Sequence, residues 1–307
     1  MDCQIVEPHK VAAILVTFHP EWSALNGLLG ILQRSPVDNI YIIDNTPWAL
    51  SSDIQLRTME KIIYIPLGEN QGIGAAQNLG TRTAIADGHD YIIYFDQDSQ
   101  PSEGMIHKLL LSSDLLSKNQ LENVIVGPAR VDPRTGKTAV VTRIGSTVKK
   151  IPIDYRTDKH PIQCDLLISS GTLVSKQCIE LCGNSREDFF IDCVDIEWGF
   201  RAKSEGIDLY TIPDAVMFHQ VGDDHLTLFG HSLTMHDPLR HYYFYRNFYF
   251  MLGLAHVPLA WKIFVFIKST LQAVVFSLFA PERYTHSKMI LKGIFHGLTG
   301  KLGKYEQ

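Results

Sequence analysis

The chain has 307 residues, 45% hydrophobic and 20% charged, with a net charge of −5. That balance excludes a mostly disordered or collagen-like chain and suits one large globular domain or two intimate ones. The charge is uneven: from Arg240 onward nine Lys/Arg face two acids, net +7, while the other 239 residues carry 19 basic and 31 acidic, net −12, which excludes a nucleic-acid-binding body.

The N-terminal "MDCQIVEPHK" is polar and is not expected to be a signal peptide. The run after it, Val11 to Phe18, is too short to span a bilayer and reads as a strand buried on both faces. "EWSALNGLLGILQR" has helical spacing, with Trp22, Leu25, Leu28, Leu29 and Leu32 on one side. "NIYIIDN" and "KIIYIPL" are short strands, Gly72 to Ala86 an alanine-rich helix, and "YIIYF" a fourth strand. Strands alternating with helices over roughly residues 11 to 130 predict a mostly parallel sheet with right-handed crossovers.

The middle changes character. "TAVVTRIG" and "CDLLISSGTLVS" read as strands without a long helix between them. "CVDIEWGFRAKSEG" has helical spacing with a stop at Gly206, and "IDLYTIP" and "AVMFHQ" read as two further short strands. Five cysteines without a C-x-x-C pair predict reduced thiols in a cytosolic protein. Cys178 and Cys182 could share a helix face, a spacing that argues little for zinc.

From Pro238 the chain is helical, aromatic and basic. Lys262 and Lys268 interrupt its longest apolar run and disfavour a spanning helix. Two readings stay open: a helix lying in the membrane interface with its lysines toward anionic lipid, or a helical hairpin that completes the core.

Candidate chemistry gathers at strand ends. "FDQDS" places Asp96 and Asp98 one residue apart after a strand. Carboxylates this close repel unless a cation or proton lies between them, and hard divalent ions prefer oxygen ligands. Open α/β sheets bind their ligands at such ends. Asp44-Asn45 closes another strand, as a turn signal or as a partner for a nucleobase or ribose. "GENQGIGAAQNLG" is a poor dinucleotide fingerprint but a plausible loop into a helix N-terminus near phosphate. Glu197 and Arg201 are spaced for an ordinary ion pair, while Asp195 is either a helix-start carboxylate or a general base. His219, at a strand end, is structural or a metal ligand.

Taken in order, "VTFHP", "IIDNT", "NQGIGAAQNLG", "FDQDS", "SSGTLVS", "FFIDCVDIEWGFRA" and "HYYFYRN" resemble the inverting family 2 glycosyltransferases of the GT-A fold. More narrowly, they are similar to the bacterial rhamnosyltransferases that use dTDP-L-rhamnose for O-antigen and other surface polysaccharides. The resemblance spans about residues 10 to 250. It implies a mostly parallel central sheet flanked by helices, with a catalytic domain over residues 1–237 and a basic helical region over 238–307.

The resemblance also implies roles. Asp98 would bind Mg²⁺ or Mn²⁺ directly, with Asp96 on metal or ribose and His219 as a further ligand. Asp44 would meet the nucleobase and Thr17 the nucleoside. Asn78 would border the diphosphate, and Arg246 would reach it. Asp195 would be the catalytic base, with Val194 where the family pattern has Glu. The partners implied are a nucleotide-sugar donor, a lipid-linked saccharide acceptor and the cytoplasmic face of the inner membrane; an oligomer is left open. Two rivals remain. A nucleotidyltransferase would show a glycine-rich basic loop at its first strand, which "VTFHPEW" lacks. A degenerate nucleotide-binding subunit would bind donor without transfer.

Overall fold

The computed structural model describes residues 9–47, 53–118, 123–218, 225–228 and 231–306. Strand β1 (Val11–Thr17) is buried at every position. Successive strand side chains point to opposite faces, so β1 feeds two cores. Val11, Ala13 and Leu15 meet Leu25, Leu28, Leu29 and Leu32 of α1 (Trp22–Gln33). Ala12, Ile14 and Val16 enter the opposite core. Next come β2 (Asn39–Asp44), α2 (Asp53–Thr58), β3 (Ile62–Pro66), α3 (Ile73–Ala86) and β4 (Tyr91–Asp96). Helix α3 approaches the second face closely. A Cβ at Gly80 would stand 2.7 Å from Ile14 Cγ2, so only glycine admits this contact without a shift.

The chain continues through β5 (Gln100–Pro101), α4 (Met105–Lys118), β6 (Val124–Val131), the hairpin β7 (Val141–Ile144) and β8 (Val148–Ile151), β9 (Ile162–Cys164), β10 (Leu173–Ser175) and α5 (Lys176–Cys182). Then follow α6 (Val194–Ser204), β11 (Asp208–Phe218), the hairpin β12 (His225–Leu228) and β13 (His231–Thr234), and helices α7 (Pro238–Met251), α8 (Leu259–Phe279) and α9 (Arg283–Thr299).

The main sheet runs β3-β2-β1-β4-β10-β6-β11-β5, with β9 also on β11. The β1–β2, β1–β4, β2–β3 and β6–β11 pairs are parallel; β10 is antiparallel to both β4 and β6. The chain moves outward from β1 to β3 and returns to β4, so the strand order reverses between β1 and β4. Ligands of open α/β sheets bind beside such a reversal.

Several expected elements differ in detail. The two strands expected from "IDLYTIP" and "AVMFHQ" run on as one, β11, which ends at Phe218 within the described residues, with a register shift between Ile212 and Val216. Pro213 lies in that interval and has no N–H for a ladder, so the strand bulges there and continues. Of "CDLLISSGTLVS" only Leu173–Ser175 is an interior strand. Cys178 and Cys182 do share α5, as buried free thiols.

The C-terminal helices are joined to the rest by a shared core. Phe189, Cys193, Val194 and Phe200 pack with Phe248, Met251, Val257 and Trp261. Helices α7 and α9 meet at glycines: an added Cβ would fall 2.5 Å from Tyr242 O at Gly293 and 2.3 Å from Arg246 O at Gly297. Helix α8 buries Trp261, Ser269 and Phe276 and leaves most of its apolar side chains exposed.

Candidate active site

Three adjacent parallel strands end together. In register, Thr17 of β1 faces Asp44 of β2, and Val16 of β1 faces Asp96 of β4. Thr17 Oγ1 donates to Asp44 Oδ1 at 3.0 Å, Tyr64 Oη donates to Oδ2 at 2.7 Å, and the Thr46 N–H donates to Oδ1 at 3.0 Å. Asp44 and Thr17 are both 0% exposed, so this hydrogen-bonded corner is fixed from inside the fold. Asn45 ties this corner to the glycine loop: its amide donates to Gly72 O at 3.2 Å and accepts from Gln71 N at 3.1 Å.

The turn after β4 is held by serines. The Asp96 N–H donates to Ser99 Oγ at 3.1 Å, and Ser99 Oγ lies 2.7 Å from Ser170 Oγ. Gln97 accepts from the Phe18 N–H at 2.7 Å, binding the turn to the end of β1. Asp96 is half-buried and Asp98 exposed. The Asp96 carboxyl is pushed up to about 6, first by burial, then by Asp98 and by Asp195, with Arg240 opposing. The structure therefore brings Asp96, Asp98 and Asp195 into one electrostatic field, although Asp195 is about 100 residues away in sequence.

Asp195 opens helix α6, its Oδ1 accepting the Ile196 N–H at 2.8 Å. Its carboxyl is raised above the ordinary range mainly by burial. Asp192 adds repulsion, while the Ile196 amide, Arg130 and the Ser169 amide pull the other way. A cleft lined by Gln77, Tyr94, Ser169, Ser185, Asp195 and Trp198 runs beside it. Glu197 is structural: it holds Arg201 at 3.0 Å and His256 at 2.9 Å and is almost wholly buried.

Two expectations are corrected. Arg246 does not reach the diphosphate side: it is 0% exposed, and its guanidinium donates to the carbonyls of Asp188, Phe189 and Gly303 and to the Asn247 side chain. Asn78 is a strut with no free amide hydrogen. Its Nδ2 donates to Ser185 O and Glu187 Oε1, each at 2.9 Å, and its Oδ1 accepts the Ser185 N–H at 2.9 Å. His219 lies outside the described residues.

Three residues unassigned from sequence, Arg240, Asp192 and Arg130, stand close enough to act on these acids. Arg240, on α7, pairs with Asp192 at 3.3 Å and acts on Asp96; Arg130, near the end of β6, acts on Asp195. "YRN" points to Arg246, and nothing local separates it from Arg240. The helical spacing of six residues is the available signal, since it puts them on different faces.

Could the acids hold a metal? Among the described residues no group of three His, Cys, Asp or Glu is arranged to do so. Asp96 and Asp98 supply oxygen donors only, and Asp96 lies among like charges with one nearby cation. That donor set fits a hard divalent ion sharing its remaining positions with ligand oxygens.

Carboxylates at the strand ends beside an order reversal, with a further half-buried acid close enough to act on Asp96, define the class: a GT-A-type sugar transferase fold. The model of the family described as glycosyl transferase family 2 matches residues 13–180, and the chain belongs to that family. Over 295 residues it is 32% identical to the dTDP-rhamnosyl transferase RfbF of Shigella flexneri, covering 96% of this chain and 97% of the relative. It is 24% identical over 265 residues to the galactofuranosyltransferase GlfT1 of Mycolicibacterium smegmatis, covering 82% of each. Among solved structures, GalNAc-T7 with UDP, GalNAc and Mn²⁺ superposes with a TM-score of 0.54 at 13% identity, covering 89% of this chain and 58% of that one. That likeness concerns the fold.

Proposed function

We propose that the protein transfers L-rhamnose from dTDP-L-rhamnose, with inversion, to a hydroxyl of a lipid-linked glycan during assembly of an O-antigen type surface polysaccharide. The observation that carries this reading is the convergence of Asp195 with the Asp96–Asp98 pair. In this reading Asp195 would take the proton of the attacking hydroxyl, and Asp96 and Asp98 would lie beside the departing diphosphate.

The chain's residues divide the work as follows. Thr17 and Asp44 receive the nucleoside at the ends of β1 and β2. Asp44 offers only acceptors, which suits the imide N–H of thymine or uracil. Asp98 and Asp96 would hold Mg²⁺ or Mn²⁺; when bound, the ion supplies charge stabilisation to the departing diphosphate. Arg240 adds a fixed positive charge on the same side. Asp195 takes the proton of the acceptor hydroxyl as it attacks the anomeric carbon from the face opposite the leaving group. One displacement inverts that centre. Burial raises Asp195 and so makes it a stronger base than a surface aspartate.

Rhamnose as the sugar is supported by the RfbF likeness and by the motifs shared with that group; the GlfT1 likeness keeps a different sugar as the second reading. Calorimetry with Mn²⁺ and a panel of dTDP- and UDP-sugars tests the donor. The expected result is tightest binding and turnover with dTDP-L-rhamnose. A UDP-hexose that binds and turns over better would replace the rhamnose assignment. Binding without hydrolysis or transfer for any donor would favour an inactive subunit.

The reading includes a peripheral seat on the cytoplasmic face of the inner membrane. Helix α8 is long and apolar enough to cross a bilayer by length and composition. It exposes Leu259, Ile263, Ile267 and Leu271, and α9 adds Leu291, Phe295 and Leu298. Lys268 and Lys288 are exposed on the same two helices. An apolar face with nearby lysines fits an anionic lipid surface, where the acceptor lipid would lie.

A further inference from the structure

The segment that delivers Asp195 is strained. Phe190, Asp192 and Cys193 all have positive φ, at 65°, 61° and 60°, and none is glycine. Phe190, with ψ −61°, occupies the rare γ-turn region, and Cys193 is left-handed immediately before α6 begins. Such a backbone persists only where its surroundings over-determine it.

Those surroundings come from α7. Asn247 Nδ2 donates to the carbonyls of Phe189, Ile191 and Asp192 at 3.0, 2.8 and 2.9 Å. Arg246 donates to Asp188 O at 3.2 Å and Phe189 O at 2.7 Å, and to Gly303 O of the segment after α9. The Gly303 N–H closes the ring by donating to Asp188 O at 2.7 Å. Tyr243 stacks on Phe190 with centroids 5.0 Å apart, and its hydroxyl accepts the Tyr305 N–H at 2.7 Å. On its other side, Phe190 O accepts the Ile73 N–H at 2.7 Å, next to Gly72, where a Cβ would stand 2.5 Å from that oxygen. The loop is thus gripped between the N-terminus of α3 and the side chains of α7.

We infer that Arg246 and Asn247 are positioning residues for catalysis: they clamp the strained 190–193 backbone and so fix where Asp195 stands relative to Asp96. The inference rests on the reading of Asp195 as the base. It gives the buried arginine a role that contact with diphosphate would not, and it makes the C-terminal helices part of the catalytic apparatus. Misplacing a reacting group by about 1 Å can cost on the order of 10²-fold in rate.

The test uses the full chain with Asn247→Ser, Arg246→Lys and Gly303→Pro, beside Asp195→Asn. Gly303→Pro loosens the clamp from the surface, because it removes the N–H given to Asp188 and cannot adopt the φ of 92° at that position. The expected result is a kcat lowered on the order of 10- to 100-fold, with donor KM within about twofold of wild type. Folded clamp variants with wild-type kcat, or a loss confined to donor KM, would overturn the inference while an inactive Asp195→Asn left the base assignment standing. An active Asp195→Asn would instead remove the base assignment. Hydrogen exchange on the wild-type chain covers variants that do not fold. Amides of 190–195 should open together with α7, and fast exchange there while α7 stays protected would contradict the clamp.

Discussion

Arg240 Nη2 lies 3.3 Å from Asp192 Oδ1, on a face of α7 different from the one that buries Arg246. Arg240 is also the cation that lowers the Asp96 carboxyl. Its ion pair is substantially exposed, so it adds only ~0.2–1 kcal/mol to stability. In the proposed reading its larger effect would be on the anionic donor. Arg240→Gln should raise donor KM about tenfold, the size of a lost charge-assisted hydrogen bond, with little change in thermal midpoint. Steady-state kinetics beside a melting curve check this; an unchanged KM would take Arg240 out of the donor site.

The pH profile follows from Asp195. Burial raises its carboxyl, and Arg130 pulls it down. A base works deprotonated, so turnover is full above the raised value and falls as pH drops through it, at higher pH than for an ordinary aspartate. Arg130→Gln removes a lowering charge and should move the acid limb of kcat further up in pH. A limb that stays in place, or moves down, would dissociate Arg130 from the base.

A second titration bears on stability. His241 and His286 have their Nδ1 atoms 3.1 Å apart, and His241 stacks on Phe276 with centroids 4.5 Å apart. Burial, then His286 and His236, lowers His241 from 6.5 to about 4, and burial lowers His286. The folded chain therefore binds fewer protons than the unfolded chain between these values. Stability is intact above about 6.5 and declines as pH falls toward 4, by ~3 kcal/mol for His241 once complete. Urea unfolding at about pH 7.5 and about pH 5 should show the loss, and His241→Gln should flatten it. Equal midpoints would show that the pair carries no proton linkage.

Membrane seating is best probed by point charges, because Trp261 and Gly303 tie the C-terminal region into the fold. Ile267 and Leu271 are 56% and 64% exposed on α8. Ile267→Glu with Leu271→Glu should abolish flotation with anionic vesicles and leave turnover on a water-soluble acceptor intact. Flotation that survives both charges would place the contact elsewhere.

Much of the architecture was legible in the sequence because the buried strands are continuous apolar runs bounded by polar turns. Val11–Thr17 and Tyr91–Asp96 carry their own signal, as does the leucine spacing of α1. Asp44 and Asp96 were readable as strand-end acids for the same reason. What could not be read was set by distant partners. The saturation of Asn78 depends on Ser185 and Glu187, and that of Arg246 on Asp188, Phe189 and Gly303, all more than 50 residues away. The positive φ at Asp192 and Cys193 has no glycine to announce it. Pro213 looked like a strand end and is a bulge, because β6 resumes pairing beyond it.

The most direct measurement is single-turnover transfer by Asp195→Asn, with donor affinity followed in parallel. A base placed opposite the strand-end acids predicts a rate lower by ~10²–10⁴-fold, with donor affinity within roughly threefold of wild type. Transfer at a rate near that of the native chain, in a folded variant, would contradict it.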